Sequence, residues 1–254
     1  ERGRVDPEFL SELLRLPFDR VQSELKGLVF LNPQTREFET DDAYLSGDVR
    51  EKLRVAEAAV LVEPRFVENV AALRAVQPED LSPSEIDARL GSAWVPEDVL
   101  GVFAEELLGE KGVEVRHAAV IGAWVVRGDW NVRGSVANTT EWGTDRRSAL
   151  DLIEDALNLR VPTIYDPDPQ AEKAVVNASA TEAAREKQHK LKERFQSWVW
   201  ENDQRRERLC RIYNDQFNNL RLRTFNGDHL VLPGASSAVK LQPHQKAAVW
   251  RILQ

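Results

Sequence analysis

Apolar residues recur at helical spacing along most of the chain, and the pattern predicts a string of amphipathic helices. Pro7 to Leu16 reads as one short helix, and Pro17-Phe18-Asp19 opens a second that runs through Leu25. Val49, Leu53, Ala56 and Val60 share one face of a helix that Ser46-Gly47-Asp48 caps. Asn69 to Val76 is another short helix, and Ser82-Pro83-Ser84-Glu85 reads as a helix start with Ile86 and Leu90 facing inward. Val99, Val102, Phe103, Leu107 and Leu108 line a helix begun by Pro96-Glu97-Asp98, and Leu150, Ile153 and Leu157 line one between Arg146 and Leu159. Two long helices follow, the first striped by Ala184, Leu191, Phe195, Trp198 and Val199, the second by Leu209, Ile212, Tyr213, Phe217 and Leu220. Such stripes are the signature of core contact. Gln242 to Leu253 closes the chain as an amphipathic helix.

Strand signals are fewer and shorter. Leu28 to Leu31 is a β-type run ended by the turn residues Asn32-Pro33-Gln34-Thr35, with Phe38-Glu39-Thr40 as its hairpin partner. Val113-Glu114-Val115, Ala118 to Val126 and Asn131-Val132-Arg133 read as a small antiparallel meander around the Gly128-Asp129 turn. Val161 to Tyr165 and Leu230-Val231-Leu232 are further short strands. The fold class expected is α+β, mostly helical, with a small antiparallel meander and a long C-terminal helical hairpin. Composition shifts divide it into a helical acidic segment (1–110), a small α/β segment (111–170), a basic helical hairpin (171–232) and the start of a further domain (233–254).

At 42% apolar and 30% charged residues, the 254-residue chain has enough apolar content for a proper core and is neither collagenous nor wholly disordered. No apolar run approaches the ~20 residues of a membrane span, and Glu1 to Asp6 lacks the apolar stretch of a secretory signal. The single Cys allows no internal disulfide and, with four His, no multi-Cys zinc module, which fits a reducing cytoplasm. Methionine is missing even at position 1, so the chain reads as a piece of a longer polypeptide. The net charge of −8 conceals an asymmetry: from Thr181 onward 14 Lys and Arg face 8 Asp and Glu, net +6, while the residues before it carry −14. A polyanionic partner would therefore meet the C-terminal third.

Catalytic signatures are sparse. Neither a G-x-x-x-x-G-K-[ST] phosphate loop nor a G-x-G-x-x-G fingerprint occurs. Asn32-Pro33-Gln34-Thr35 lacks the aromatic that an amino-methyltransferase N-P-P-[YF] loop stacks on its target base, and reads as a turn. Cys210 flanks an apolar stripe without a nearby His, and His117, His189, His229 and His244 show no ligand spacing, so no metal site is expected. The cations say more. Lys190 and Arg194 on the first long helix, with Arg208 and Arg211 on the second, fall off the apolar stripes, and Trp198, Trp200 and Tyr213 interleave with them. Outward positive charge of this kind can track a phosphate backbone; equally, it can pair locally with Glu182, Glu186, Glu193 and Glu207.

Leu241-Gln242-Pro243-His244-Gln245-Lys246-Ala247-Ala248-Val249-Trp250 resembles the L-[RK]-P-[HY]-Q element just upstream of the Walker A loop in superfamily 2 helicases and translocases, with Gln242 in place of the usual Arg or Lys. Tyr44 to Leu53, Val76 to Leu81, Ala88 to Pro96, Ala156-Leu157-Asn158 and Ala183 to Gln188 are similar to the region preceding the motor in large phage and mobile-element proteins. These DarB-like antirestriction proteins join a methyltransferase-like domain to a helicase. The resemblance implies that Gln245, with Pro243 and Leu241, reads the adenine of ATP, since an amide can both donate to and accept from the base. It implies ATP and Mg for the parent, no cofactor and no catalytic residue within this piece, DNA as a partner, and neighbouring methyltransferase-like and helicase domains on the same polypeptide. On that view the chain is an inert DNA-handling region of an ATP-dependent helicase or translocase. The alternative is a structural spacer or protein-interaction module that does not bind DNA.

Overall fold

A computed structural model describes residues 5–120, 122–167, 174–231 and 240–253 of the protein. The elements run in chain order as α1 (Pro7–Leu14), α2 (Phe18–Glu24), β1 (Val29–Leu31), β2 (Phe38–Thr40), α3 (Asp41–Tyr44), β3 (Gly47–Asp48), α4 (Val49–Val60) and, after a 3-10 turn at Pro64–Phe66, α5 (Val67–Ala75). Then come α6 (Glu97–Leu108), β4 (Val113–Ala118), β5 (Ala123–Gly128), α7 (Trp130–Gly134), a π-turn at Ala137–Glu141 and α8 (Ala149–Leu157). The remainder is β6 (Tyr165–Asp166), β7 (Val175–Val176), α9 (Ala178–Glu201), α10 (Asp203–Phe217), β8 (Leu220–Arg221) and α11 (Pro243–Leu253). The protein is α+β and mostly helical, with long helices toward its C-terminus. Among the described residues its strands form two-stranded antiparallel pairs. Among the described residues no helix is long and apolar enough to cross a membrane.

Contacts divide the chain into two units, one made of residues 1–80 and 214–254, the other of 81–213. The second unit holds the larger core. The stripe of α9 is buried in full: Ala184, Leu191, Phe195, Trp198 and Val199 are all at most 2% exposed. They pack on α8 and α6, where Phe103 meets Phe195 edge-on at 5.0 Å and Trp198 at 5.1 Å. The β4–β5 hairpin covers the other side of α6 and α8, pairing Val113 with Gly128 through Ala118 with Ala123. Below it Asp155, 5% exposed, accepts from Arg147 Nε and NH2 at 3.0 and 2.7 Å.

The capping pattern at Ser82 is present without the expected helix. Glu85 Oε2 accepts from the Ser82 backbone N–H and hydroxyl at 2.9 and 2.6 Å, yet the chain turns there and continues extended. Ile86, Ala88 and Leu90 are each 4% exposed while Asp87 and Arg89 face out, a period of two that inserts the segment into the core as a strap. Gly91 follows at φ +98°, where a side chain would meet the Ala156 carbonyl at 3.0 Å. The meander likewise loses its third strand. Asp129 N–H closes the hairpin onto Gly112 C=O, and Arg133 N–H then bonds back to Asp129 C=O, so Asn131-Val132-Arg133 forms α7. Of the other short strands, only Tyr165 at the end of the Val161 run is paired; Leu230 and Val231 are irregular, and Leu232 lies outside the described residues.

In the first unit, Phe30 stacks on Tyr44 at 5.2 Å above Val49, Ala56 and Leu73. The α4 helix starts as the sequence indicates, Asp48 accepting from the Glu51 N–H at 2.9 Å. Asp48 also pairs across to Leu220, and Gly47 to Arg221, so residues far apart in sequence close this unit. Arg50 donates to Asn218 C=O at 2.8 Å and to Asp80 at 2.6 Å, and Asn219 Nδ2 donates to Asp48. The Tyr44 hydroxyl is buried with no hydrogen-bond partner among the described residues, and neighbouring Asn69 donates from Nδ2 to Leu31 C=O at 2.9 Å.

Two stability outcomes follow from these buried groups. Tyr44→Phe removes an unsatisfied hydroxyl while keeping the stack, and is expected to stabilise by about 1 kcal/mol in denaturant titration. Arg147→Ala strands the Asp155 carboxylate and is expected to cost about 2 to 3 kcal/mol in the same assay.

Candidate nucleic-acid interface

The four outward cations sit on α9 and α10 as their spacing indicates, but carboxylates already engage Lys190, Arg194 and Arg208. Lys190 Nζ meets Glu186 at 2.6 Å one helical turn away, Arg194 meets Glu201 at 2.5 Å, and Arg208 grips both oxygens of Asp98, at the start of α6, from 2.5 and 3.0 Å. Arg211 is exposed on the same helix. All three pairs are solvent-accessible, and such pairs contribute within about 1 kcal/mol, so a polyanion can compete for these cations at small cost. The hydrogen bond from Arg208 holds the Asp98 carboxyl below the ordinary aspartate range. Lys190 in turn lowers Glu186 through its own hydrogen bond.

The neighbouring aromatics are not free faces for a base. Trp198 is 2% exposed, donates its indole N–H to Glu106 at 2.6 Å, and carries the Arg205 guanidinium 3.4 Å above its ring. Tyr213 stands edge-on to Trp94 at 5.1 Å, and Trp200 is half-buried against the core. Desolvation lowers the pKa of Arg205, whose NH2 donates to Trp198 C=O at 2.6 Å.

Gln245 lies in the first turn of α11, exposed, with Pro243 opening the helix and Leu241 half-buried before it. Its Oε1 accepts from the Gln242 N–H at 2.9 Å, as in one half of a capping box. Nearby, His229 packs edge-on against Trp250 at 4.5 Å. Asn32 Oδ1 accepts from the N–H groups of Gln34 and, more weakly, Thr35, so Asn-Pro-Gln-Thr is a side-chain-closed turn. Cys210 is half-buried on α10. Among the described residues no group of three His, Cys, Asp or Glu could hold a metal ion.

The first 40 residues hold an arrangement that reading element by element does not bring together. Two short helices meet at the Arg15 to Pro17 turn, with Arg15 in the left-handed region at φ +54°. They lead directly into the β1–β2 hairpin, and Val5, just ahead of α1, bridges antiparallel to Phe38 on the outer side of β2. Strand residue, helix, turn, helix and two-stranded hairpin is the order of a winged helix from its second helix onward. Each element is visible in the sequence; their joint order is the signal.

Family comparison finds two matches along the chain. Residues 89–219, more than half of the chain, match the family described as Domain of unknown function (DUF8437). The chain belongs to this family. Residues 1–39 match a second family, described as Probable helicase, winged helix domain, which relates this segment to helicases. No curated protein and no solved structure matches the chain. The DUF8437 stretch contains all four cations, the α6–α8–α9 core and all of α10, whereas the helicase match falls on the helix–turn–helix and hairpin.

The Asp98–Arg208 pair has a defined pH signature. Because the folded-state pKa of Asp98 is depressed, its contribution is present above the ordinary aspartate range and lost as pH falls through the lowered value. Asp98→Asn is therefore expected to melt slightly below wild type near neutrality, by an amount within about 1 kcal/mol, with the two converging in strong acid.

Proposed function

We propose that this chain is a DNA-handling region of an ATP-dependent helicase or translocase, joining a methyltransferase-like segment to a superfamily 2 motor and itself catalytically inert. The observation that carries the reading is the helix–turn–helix and hairpin from Val5 to Thr40, lying where the sequence matches a helicase winged helix. In this reading the cations of α9 and α10 hold phosphates, and the carboxylates beside them are placeholders that a DNA strand displaces. Gln245, with Pro243 and Leu241, forms the adenine-reading corner of an ATP site whose phosphate- and Mg-binding residues belong to the motor. The chain carries the net +6 of its last third on the side of this assignment and the net −14 of the remainder against it, so the acidic surface must lie away from the strand.

A second reading, a docking spacer without DNA contact, is favoured by one observation: Lys190, Arg194 and Arg208 are already neutralised by Glu186, Glu201 and Asp98.

Charge reversal separates the two. The double variant Arg208→Glu and Arg211→Glu leaves the buried stripe of α9 untouched, and circular dichroism should show the fold retained. If the proposal holds, it weakens duplex binding across sequences and flattens the dependence of log affinity on log salt by about two units, roughly 0.9 per lost phosphate contact. Unchanged affinity and slope in a folded variant would support the spacer. Removing the competing charges, as in Asp98→Asn with Glu186→Gln, should instead strengthen binding.

A further inference from the structure

The segment that follows β8 is held against α11 at one main-chain point. Gly227 is buried so close to the helix that a Cβ there would lie 2.3 Å from the Lys246 carbonyl oxygen, so only glycine fits. On either side of it, the Phe225 ring lies under the Arg251 guanidinium at 5.9 Å, and His229 packs edge-on against Trp250 at 4.5 Å. The residue before the glycine answers a different need. Asn226 is exposed and closes the turn with its own side chain, Oδ1 accepting from the Asp228 N–H at 2.9 Å. Packing and turn closure together select Asn-Gly, a dipeptide that occurs once in the chain.

That pair carries chemistry of its own. The bond from Asp228 N–H to Oδ1 folds the Asn226 amide carbon back toward the Gly227 nitrogen. The same N–H is placed to stabilise the negative charge that develops on Oδ1 when that carbon is attacked. Neither Asn226 Nδ2 nor the Gly227 N–H has a hydrogen-bond partner among the described residues, and glycine has no Cβ to obstruct the approach. By contrast, Asn138, Asn158 and Asn177 donate their amide nitrogens to Arg133 C=O, Trp124 C=O and Asp166, and each precedes a residue with a side chain.

We propose that Asn226-Gly227 is a self-modifying site, where the Gly227 nitrogen displaces the Asn226 amide as ammonia and hydrolysis of the resulting succinimide leaves an isoaspartate that frees α11 from the turn. In the first step water or hydroxide takes the Gly227 amide proton and the nitrogen bonds to Cγ. The Cγ–Nδ2 bond then breaks, and a proton returns to the departing ammonia. One water opens the ring, its proton going to the nitrogen. Its hydroxyl adds at Cγ to restore a normal chain as aspartate, or at the main-chain carbonyl carbon to route the chain through Cβ and Cγ as isoaspartate. Nothing is oxidised or reduced, and water is the only reactant. The isoaspartate chain is one carbon longer beside the glycine that has no room against Lys246, so Phe225 and His229 lose the spacing that meets Arg251 and Trp250 together. The inference concerns α11 itself and does not depend on the helicase assignment.

The test incubates the full chain at mildly alkaline pH beside a synthetic peptide of residues 222–231. Peptide mapping by mass spectrometry follows the loss of the amide, and methyl transfer by an isoaspartyl methyltransferase reports the isoaspartate. Asn226 should convert in the folded chain at least as fast as in the peptide, while Asn138, Asn158 and Asn177 stay intact. Hydroxylamine, which cleaves succinimides, should cut the chain between Asn226 and Gly227. Hydrogen exchange of the α11 amides should quicken about tenfold on conversion. Asn226→Asp adds the charge without the extra carbon and should keep α11 protected. The proposal is overturned if Asn226 survives conditions that convert the free peptide, or if the converted chain exchanges its α11 amides no faster than before. Equally fast exchange in Asn226→Asp would also overturn it, because charge rather than chain length would then release the helix.

Discussion

The contact of Phe195 and Trp198 with Phe103 organises the DUF8437 half of this protein. Burying that cluster fixes α9 along α8 and α6. Ala88 and Leu90 of the strap fill the same core, and the β4–β5 hairpin lies over it. Only then do Lys190, Arg194 and Arg208 face outward, because the residues between them on the helices are committed inward. The positive face is thus a by-product of hydrophobic registration: shift α9 by one residue and its charges turn into the core.

That same registration brings acids to the cations. Glu186 and Lys190 are one turn apart, Arg194 reaches Glu201, and Arg208 reaches Asp98 at the first turn of α6. Pairs so exposed are too weak to be the purpose of the surface. They leave it nearly neutral in isolation, and responsive to any ligand that presents a denser array of negative charge. A protein with an overall charge of −8 can tolerate such a surface without binding polyanions indiscriminately.

Much of this was visible in the residues alone. The α9 stripe, the Asp48 cap of α4 and the two helices and hairpin before Thr40 are local patterns with local causes. The errors also have physical reasons. Ser82 and Glu85 make the bonds of a helix start, but three apolar residues at alternate positions found more burial as an extended strap than one helical face would give. Val132 looked like a strand residue, but beyond the Asp129–Gly112 closure the chain bonds back on itself. The pairing of Gly47 and Asp48 with Leu220 and Arg221 has no sequence periodicity at all, because it joins segments some 170 residues apart in register rather than in pattern. The candidate cations could be read from helical phase. Which carboxylate each would meet could be read for Lys190 only, whose partner lies on the same helix face one turn away; Asp98 is a tertiary neighbour.

Whether the charged face of α9 and α10 meets DNA is measured most directly by the salt dependence of duplex binding by the wild-type chain, followed by fluorescence anisotropy at constant pH. Contacts from Lys190, Arg194, Arg208 and Arg211 should make log affinity fall with log salt at a slope of roughly −3 to −4, at about −0.9 for each phosphate neutralised. A slope near zero, or no binding at low salt by a folded chain, would contradict it.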